Sequence, residues 1–446
     1  MLRPDRIFPA FRAALAVLLA VTVAVPAAAQ SLIRDPDIEY ALDRLARPLI
    51  TAAGLSPNRI NVLVINDDRM NAFVIDDRAV FIHSGLILRL EDAAELQAVI
   101  GHELAHIANG HITRRMANRR SANTAAGIAT ALAAAAAIAG EPAAAGAAAV
   151  GATTSANRRY LSHTRAEEAS ADSSGLRYMA ESGIDPQAMR RVLEKFRGQE
   201  VLSVGRQDPY VRAHPLTRDR LRAVEGLIAA LDREFATEPE ADYWFARAQG
   251  KLSAFLRAPS WTLRQVGRND RSDVALMRRA VAYHRRPDPD AALREIDALA
   301  AKRPNDPFVH ELRGQILLES RSFGAAITAY RRAAELAPGN ALILGGLGRA
   351  LLTREDAAGN RQALEVLENA RSRDPRNPRM MRDLAVAYAR AGNTGMASLA
   401  TAERYALLGR IRDAAIHAKR AAGALPQGSP GWRRADDILK ASRDAT

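Results

Sequence analysis

The sequence predicts a mainly α protein in two parts: an α+β domain with a small antiparallel sheet, then an α-solenoid of tetratricopeptide repeats. Three observations carry this. Short β-type runs between residues 60 and 83 are separated by the turn-like "NDDRM" and "DDR". Helical periodicity returns at Glu91 and contains the histidine-rich "GHELAHIANGH". A proline-ended helical register then recurs through the second half of the chain. At 446 residues the chain exceeds one ordinary domain of roughly 100–200 residues, so it has room for several units and a real core.

Residues 1–29 have the three-part pattern of a secretory signal peptide: basic Arg3, Arg6 and Arg12, an apolar run from Ala13 to Val25, and small residues at Ala27, Ala28 and Ala29, after which cleavage is expected. That run is shorter than the ~20 residues a helix needs to cross a bilayer, which favours a removed leader over a retained anchor. Export permits disulfides, yet the chain has no cysteine. Stability must therefore come from packing, and thiol proteases and zinc ribbons are excluded together. The net charge of +13 comes mostly from arginine and fits an anionic partner; for an exported chain that means membrane head groups rather than nucleic acid.

Asp37 to Ala53 carries Ile38, Leu42, Leu45, Leu49 and Ile50 at helical spacing, and "GLSPN" ends that helix. "INVLVI" (Ile60–Ile65), "NAFVI" (Asn71–Ile75) and "AVFIH" (Ala79–His83) then read as the antiparallel strands. From Glu91 onward Leu96, Val99, Ile100, Leu104 and Ile107 form one broad apolar face of a helix. Residues 116–157 are an alanine- and glycine-rich tract turned at Glu141-Pro142, read as a two-arm hairpin. Arg114, Arg115, Arg119 and Arg120 stand at its start and Arg158 and Arg159 follow it, so cations flank both ends. Two placements suit it: against an anionic membrane surface, or as a lid over the domain's own cleft. Helical sequence resumes at Ser162, and the composition changes around Thr237 to Glu240. The expected domains are residues 30–238, a helical linker at 239–272, and the repeats at 273–446.

The repeat register is a small residue, an apolar or aromatic one four later, another three after that, and proline five beyond. It fits Ala292, Ile296, Leu299 and Pro304; then Ala326, Tyr330, Ala333 and Pro338; then Ala363, Leu367, Ala370 and Pro375; and finally Ala414, Ala418, Ala421 and Pro426. Consecutive starts lie 34, 37 and 51 residues apart, and 34 is the tetratricopeptide period. Gly314 stands where that repeat places the close crossing of its two helices. The long interval is expected to hold an extra helix pair element around Thr394 to Leu408. Each hairpin cannot bury its own apolar face, so the units must stack into a curved array with a concave binding surface.

On a helix His102 and His106 lie one turn apart on one face, where both imidazoles reach a single ion, and Glu103 lies beside them facing the ion's open side. Zinc bound so acidifies a water, and a carboxylate there takes its proton during attack on a peptide carbonyl. The third histidine tempts toward the metzincin pattern HExxHxxGxxH. Both later positions miss: Gly110 is one late and His111 one early, so His111 projects about 100° from the needed direction. His111 is expected to support the site, not to bind metal. The gluzincin alternative takes a carboxylate from a later helix, and "SHTRAEEASADSSG" offers Glu167, Glu168 and Asp172. Glu168 and Asp172 share one helical face, so one can bind zinc while the other accepts a hydrogen bond from a ligand histidine and fixes its tautomer; Glu167 points away.

In that order, "NAFVIDDRAVFIHSGLI", "HELAHIANGH", "EEASAD" and "RAHPLTRDR" resemble the HtpX and CAAX-prenyl-protease family of zinc metallopeptidases, and the exported signal and C-terminal repeats are most similar to its periplasmic BepA-type branch. The resemblance implies one Zn2+ per chain on His102, His106 and Glu168, a general base at Glu103, and a catalytic support role for Asp172. It implies a fourth, inhibitory ligand at His214 in "HPLTRDR", with Arg220 nearby as an oxyanion stabiliser. Asn71, Ala72 and Phe73 match the segment that receives extended substrate on an edge strand. The implied work is periplasmic quality control: cleaving misassembled outer-membrane proteins and helping others mature, with the repeats docking on the assembly machinery or its clients. The alternative from a different class is a repeat-based chaperone or adaptor whose metal site is latent or structural.

Overall fold

The structure, a computed structural model, describes residues 32–114, 165–199, 207, 209–231, 233–236 and 238–444. The expected signal peptide (1–29) and the alanine- and glycine-rich tract (116–157) lie outside the described residues.

Asp35 caps α1 (Pro36–Ala52): its carboxylate accepts from the N–H groups of Asp37 and Ile38 at 3.0 Å, and Pro36 takes the first turn, where no N–H is needed. Ile38, Leu42, Leu45 and Leu49 form its buried face. β1 (Leu32–Ile33), β2 (Asn61–Ile65), β3 (Ala72–Val74) and β4 (Ala79–His83) make one sheet of order β1-β2-β4-β3. It is mixed where an antiparallel sheet was expected. β2 and β4 pair in parallel, Val62 opposite Val80 and Val64 opposite Ile82, while β1 and β3 pair antiparallel outside them.

The turns explain the difference. "DDR" (Asp76–Arg78) joins β3 and β4 as a hairpin, whereas "NDDRM" carries the chain across the end of the sheet, so β4 returns between β2 and β3. That crossing lies tight against the start of α2 (Ser84–Ile87): a Cβ on Gly85 would sit 2.0 Å from the Asp68 carbonyl oxygen. Only a residue without a Cβ fits there.

α3 (Ala93–Ala108) starts on Asp92, whose carboxylate accepts from Glu95 N–H at 2.8 Å, while the Glu95 carboxylate reaches back to Glu91 N–H at 2.9 Å. Its apolar residues share a core with α1 and with the sheet residues Val64, Val80 and Ile82. A helix over 165–181, α4, crosses α3 where Gly101 meets Gly175; a Cβ on Gly175 would lie 3.2 Å from the backbone nitrogen of His102. Two glycines thus let two backbones approach closely, and the approach brings the acidic face of α4 over the histidines. α5 (Gln187–Lys195), α6 (Pro209–Ala213) and α7 (Arg218–Ala229) follow.

α8 (Pro239–Leu256) serves both halves. Phe245, Ala248 and Leu252 join the first core, and Ala254 joins the next one. Lys251, fully buried, places Nζ 2.9 Å from Asp35 Oδ1 and 3.6 Å from Asp37 Oδ2. α9 (Pro259–Gln265) leads into α10 (Asp273–Arg285) and α11 (Pro289–Lys302). Then come α12 (Pro307–Glu319) and α13 (Phe323–Leu336), α14 (Ala341–Leu352) and α15 (Ala357–Arg373), α16 (Pro378–Arg390) and α17 (Thr394–Leu407), and α18 (Ile411–Ala424) and α19 (Pro430–Asp444), each packed on its neighbour. The array is an α-solenoid of helical hairpins, as the register predicts.

The first three matches of the register fall on α11, α13 and α15, the second helices of their pairs, with the small and apolar positions buried. The fourth falls on α18, half a repeat along. The long interval holds two helices, α16 and α17, where a regular repeat holds one, and the extra element is the single helix α17, which pairs with α16. After α17 the chain turns at Gly409, in the left-handed region with φ 71°, and has no proline there, so the register skips it. Gly314 does sit at a close crossing: a Cβ there would lie 2.7 Å from the Tyr330 ring.

Candidate metal centre

His102 and His106 stand one turn apart on α3, both buried, with the buried Glu103 beside them. Glu168 on α4 and His214, just beyond α6, close on the same point. One ligand atom from each of His102, His106, Glu168 and His214 lies within 4.8 Å of all the others. His102 Nε2 is 3.2 Å from His106 Nε2 and 3.2 Å from His214 Nδ1. The Glu168 oxygens are 3.3 Å from His102 Nε2, 3.4 Å from His106 Nε2 and 3.0 Å from His214 Nδ1. Four donors each ~2.0–2.1 Å from a tetrahedral centre stand ~3.3–3.4 Å apart, and the pairs that His102 makes with His106, His214 and Glu168 are already close to that spacing.

Proton positions agree with the spacing. His102 Nδ1 lies 3.0 Å from Asp172 Oδ1; donating there, it leaves a lone pair on Nε2, aimed at the cluster. Lone pairs and a carboxylate converging in a buried pocket call for a cation among them. Burial alone would depress His102, but hydrogen bonds to Asp172 and Glu168 outweigh it and push the imidazole up to about 10, so with no metal a proton on Nε2 would supply the missing positive charge. Burial would likewise raise Glu168, yet His214 and His102 hold its carboxyl well below the usual carboxylate range. The pocket thus demands positive charge.

The remaining residues predicted from sequence fall around this cluster. His111 Nδ1 lies 2.9 Å from His106 Nδ1, behind that ring and away from the converging atoms. Of the three candidate acids, Glu168 and Asp172 meet His102, and Glu167 is buried outside the cluster. Arg220, expected as an oxyanion stabiliser, has its guanidinium on Asp172, the His214 turn and Glu168. Nε and Nη2 donate to the two Asp172 oxygens at 2.6 and 2.8 Å, and Nη1 lies 3.1 Å from the Pro215 carbonyl, 3.3 Å from that of His214 and 3.2 Å from Glu168 Oε2. With its donors so engaged, Arg220 holds Asp172 and the His214 turn in place. Thr217 aims it, capping α7 by accepting from Arg220 N–H at 3.2 Å.

Asn71, Ala72 and Phe73 lie on or next to β3, an edge strand among the described residues. Phe73 stacks on Phe81 with ring centroids 5.5 Å apart, and Asn71 C=O accepts from His83 N–H at 2.9 Å. Sequence reasoning did not single out Tyr210. Its ring contacts Phe196 and His214, each with centroids 4.7 Å away, and burial pushes its hydroxyl well above the usual range, with Glu103 adding to the rise. Glu103 Oε1 in turn lies 3.3 Å from His214 Nε2. The one sequence signal for Tyr210 was an aromatic residue four before His214, one helical turn away.

Residues 34–228 match peptidase family M48, a span that runs from just before α1 almost to the end of α7. This segment is an M48 peptidase domain. The M48 domain holds all four converging side chains and Glu103. Over most of its length the chain is similar to the beta-barrel assembly-enhancing protease of Escherichia coli K12: 26% identical over 394 residues, which cover 86% of this chain and 78% of that one. It is also similar to metalloprotease LoiP of Escherichia coli K12, 27% identical over 208 residues covering 46% of this chain and 78% of that one. Alignments with the curated relatives span from 45% to 79% of the relatives' own lengths. Among solved structures, a thermophilic tetratricopeptide-repeat protein from Thermus thermophilus covers 38% of this chain and 100% of its own, with 20% identity and a TM-score of 0.26. Among the described residues no helix is long and apolar enough to cross a membrane.

Proposed function

We propose that the chain is a periplasmic zinc endopeptidase that cleaves misassembled outer-membrane proteins. The observation that carries this reading is the convergence of His102, His106, Glu168 and His214 inside an M48 domain. The donor set, three imidazoles and a carboxylate with no thiolate, suits zinc. In this reading His102, His106 and Glu168 hold one Zn2+ per chain.

Bound there, zinc would polarise the scissile carbonyl and acidify the attacking water. Glu103 accepts the water's proton and returns it to the departing amine. Asp172 fixes His102 as an Nε2 ligand and Arg220 fixes Asp172, so both position the site without touching substrate. Asn71, Ala72 and Phe73 offer a strand edge along which an extended client pairs. His214 takes the place of substrate or water and keeps the site latent until it is displaced; its 3.0 Å approach to Glu168 supports this. The repeat array chooses clients or docks on the outer-membrane assembly machinery, as the relatives named for β-barrel assembly suggest. The cations flanking residues 116–157 suit peripheral contact with a membrane surface.

The test uses the full chain with Glu103→Gln. It should keep one zinc by metal analysis and lose cleavage of a denatured outer-membrane protein by about 100-fold or more. Cleavage at the unsubstituted rate would sink the mechanism. In the parallel variant His214→Ala cleavage should rise.

A further inference from the structure

The short helix α6, which delivers His214, is seated on the strand that a substrate would need. In the β3/β4 ladder Asn71 C=O accepts from His83 N–H, and Phe73 faces Phe81 two residues on. Antiparallel pairing alternates, so Asn71 and Phe73 turn their N–H and C=O groups toward β4, while Met70, Ala72 and Val74 turn theirs to the outer edge. On that edge the Met70 carbonyl accepts from Tyr210 N–H at 3.3 Å, α6 lies against β3, and Ala72 is fully buried. Tyr210 also grips His214. Its carbonyl accepts from His214 N–H at 2.7 Å, and its ring packs between Phe196 and the His214 imidazole.

We propose that Tyr210 is a positioning residue that couples substrate docking to the metal centre: an extended chain paired along Met70–Val74 and His214 seated beside Glu168 exclude one another. An incoming strand uses the outward groups of Ala72, and its next acceptor toward the N-terminus is the Met70 carbonyl, where α6 is anchored. Taking that acceptor lifts Tyr210, and lifting Tyr210 withdraws the stacked ring and the helical turn that hold His214. The substrate opens the site by the same pairing that binds it. By linkage, a seated His214 must weaken edge binding by the factor with which edge binding unseats His214.

This rests on the reading of β3 as the docking edge of a latent peptidase, and the experiment separates the two. Full-length, zinc-loaded Glu103→Gln protein is titrated into a fluorescein-labelled ten-residue peptide of alternating polar and apolar residues, with binding read by anisotropy, so no turnover is needed. Adding Tyr210→Ala should tighten binding about three- to tenfold, the range expected for loss of one aromatic contact. Adding His214→Ala, which leaves the Phe196–Tyr210 stack in place, should also tighten it, and Tyr210→Phe should restore the affinity of the Glu103→Gln parent. Equal affinity in the parent, Tyr210→Ala and His214→Ala proteins overturns the coupling and leaves the peptidase reading intact. Absence of binding in all of them overturns the docking edge and the coupling with it, while cleavage by the unsubstituted chain tests the peptidase separately.

Discussion

Asp172→Asn isolates the contribution of the residue behind the metal site. The carboxylate has two claimants, both donors: His102 Nδ1 at 3.0 Å, and the Arg220 guanidinium at 2.6 and 2.8 Å. Burial opposes its ionisation, but the hydrogen bond from His102 and the Arg220 charge hold the carboxyl below its usual range. Asparagine has nearly the same shape, with one acceptor oxygen and a donor NH2. If the amide oxygen turns to Arg220, its NH2 faces His102 Nδ1, which must then become the acceptor and move its proton to Nε2, the atom needed for metal. If the oxygen turns to His102, a donor faces Arg220. The side chain cannot satisfy both. Losing such a partner costs about 10- to 100-fold in metal affinity, or about 1.4–2.8 kcal/mol. Chelator competition on the full chain measures it directly, beside the melting temperature of each metal-free protein to separate affinity from folding. An Asp172→Asn affinity within about twofold of the unsubstituted chain would refute the orientation argument.

Two further predictions concern the repeats. Burial at the junction pushes the Glu311 carboxyl up to about 8 against the pull of Lys251, with Asp35 and Asp37 adding to the rise. A folded value above the unfolded one means stability is full at low pH and is lost as pH rises through the folded value, so Glu311→Gln should gain about 2–6 °C in melting temperature over the parent between about pH 5 and about pH 9; a constant gap would contradict it. At Gly346 a Cβ would lie 2.4 Å from the Tyr330 ring, so Gly346→Ala should lower stability by about 1–2 kcal/mol, overpacking outweighing the helix propensity gained. A denaturant midpoint that rises would refute that.

What was legible in the sequence was what local spacing encodes. His102, Glu103 and His106 follow from one helix and its period, and the exclusion of His111 as a ligand follows from counting along the same helix. Glu168 and Asp172 could be paired by their four-residue spacing but not assigned, because the assignment depends on how α4 crosses α3. That crossing is set by Gly101 and Gly175, 74 positions apart, and nothing local marks them as partners. The strands were recognisable from alternation, but their order depended on a six-residue loop crossing the sheet end beneath Gly85. Arg220 shows the same limit from the other side: its charge and position near His214 were visible, and its engagement with Asp172, 48 residues earlier, was not. A site assembled from three helices and a turn is visible in sequence one element at a time.

The junction between the two halves bears on how the repeats can affect the metal helix. Asp35, Asp37, Asp306 and Glu311 meet Arg247 and Lys251 in a largely buried cluster, with Arg247 Nε 2.7 Å from Asp37 Oδ1. Such clusters contribute little net stability, because desolvation offsets most of the attraction. They are demanding about geometry, since moving one partner strands a buried charge. The cluster therefore fixes the orientation of the array more than it strengthens the join. Its acids Asp35 and Asp37 sit at the start of α1, whose Leu45 carbonyl accepts from Gln97 Nε2 on α3 at 3.1 Å, and α8 itself packs on α3. A load on the repeats would thus act through α1 and α8 on the helix that carries His102, Glu103 and His106. The alternative, an array tethered by a loose linker, would transmit no such load, and Lys251, with none of its surface exposed, argues against it.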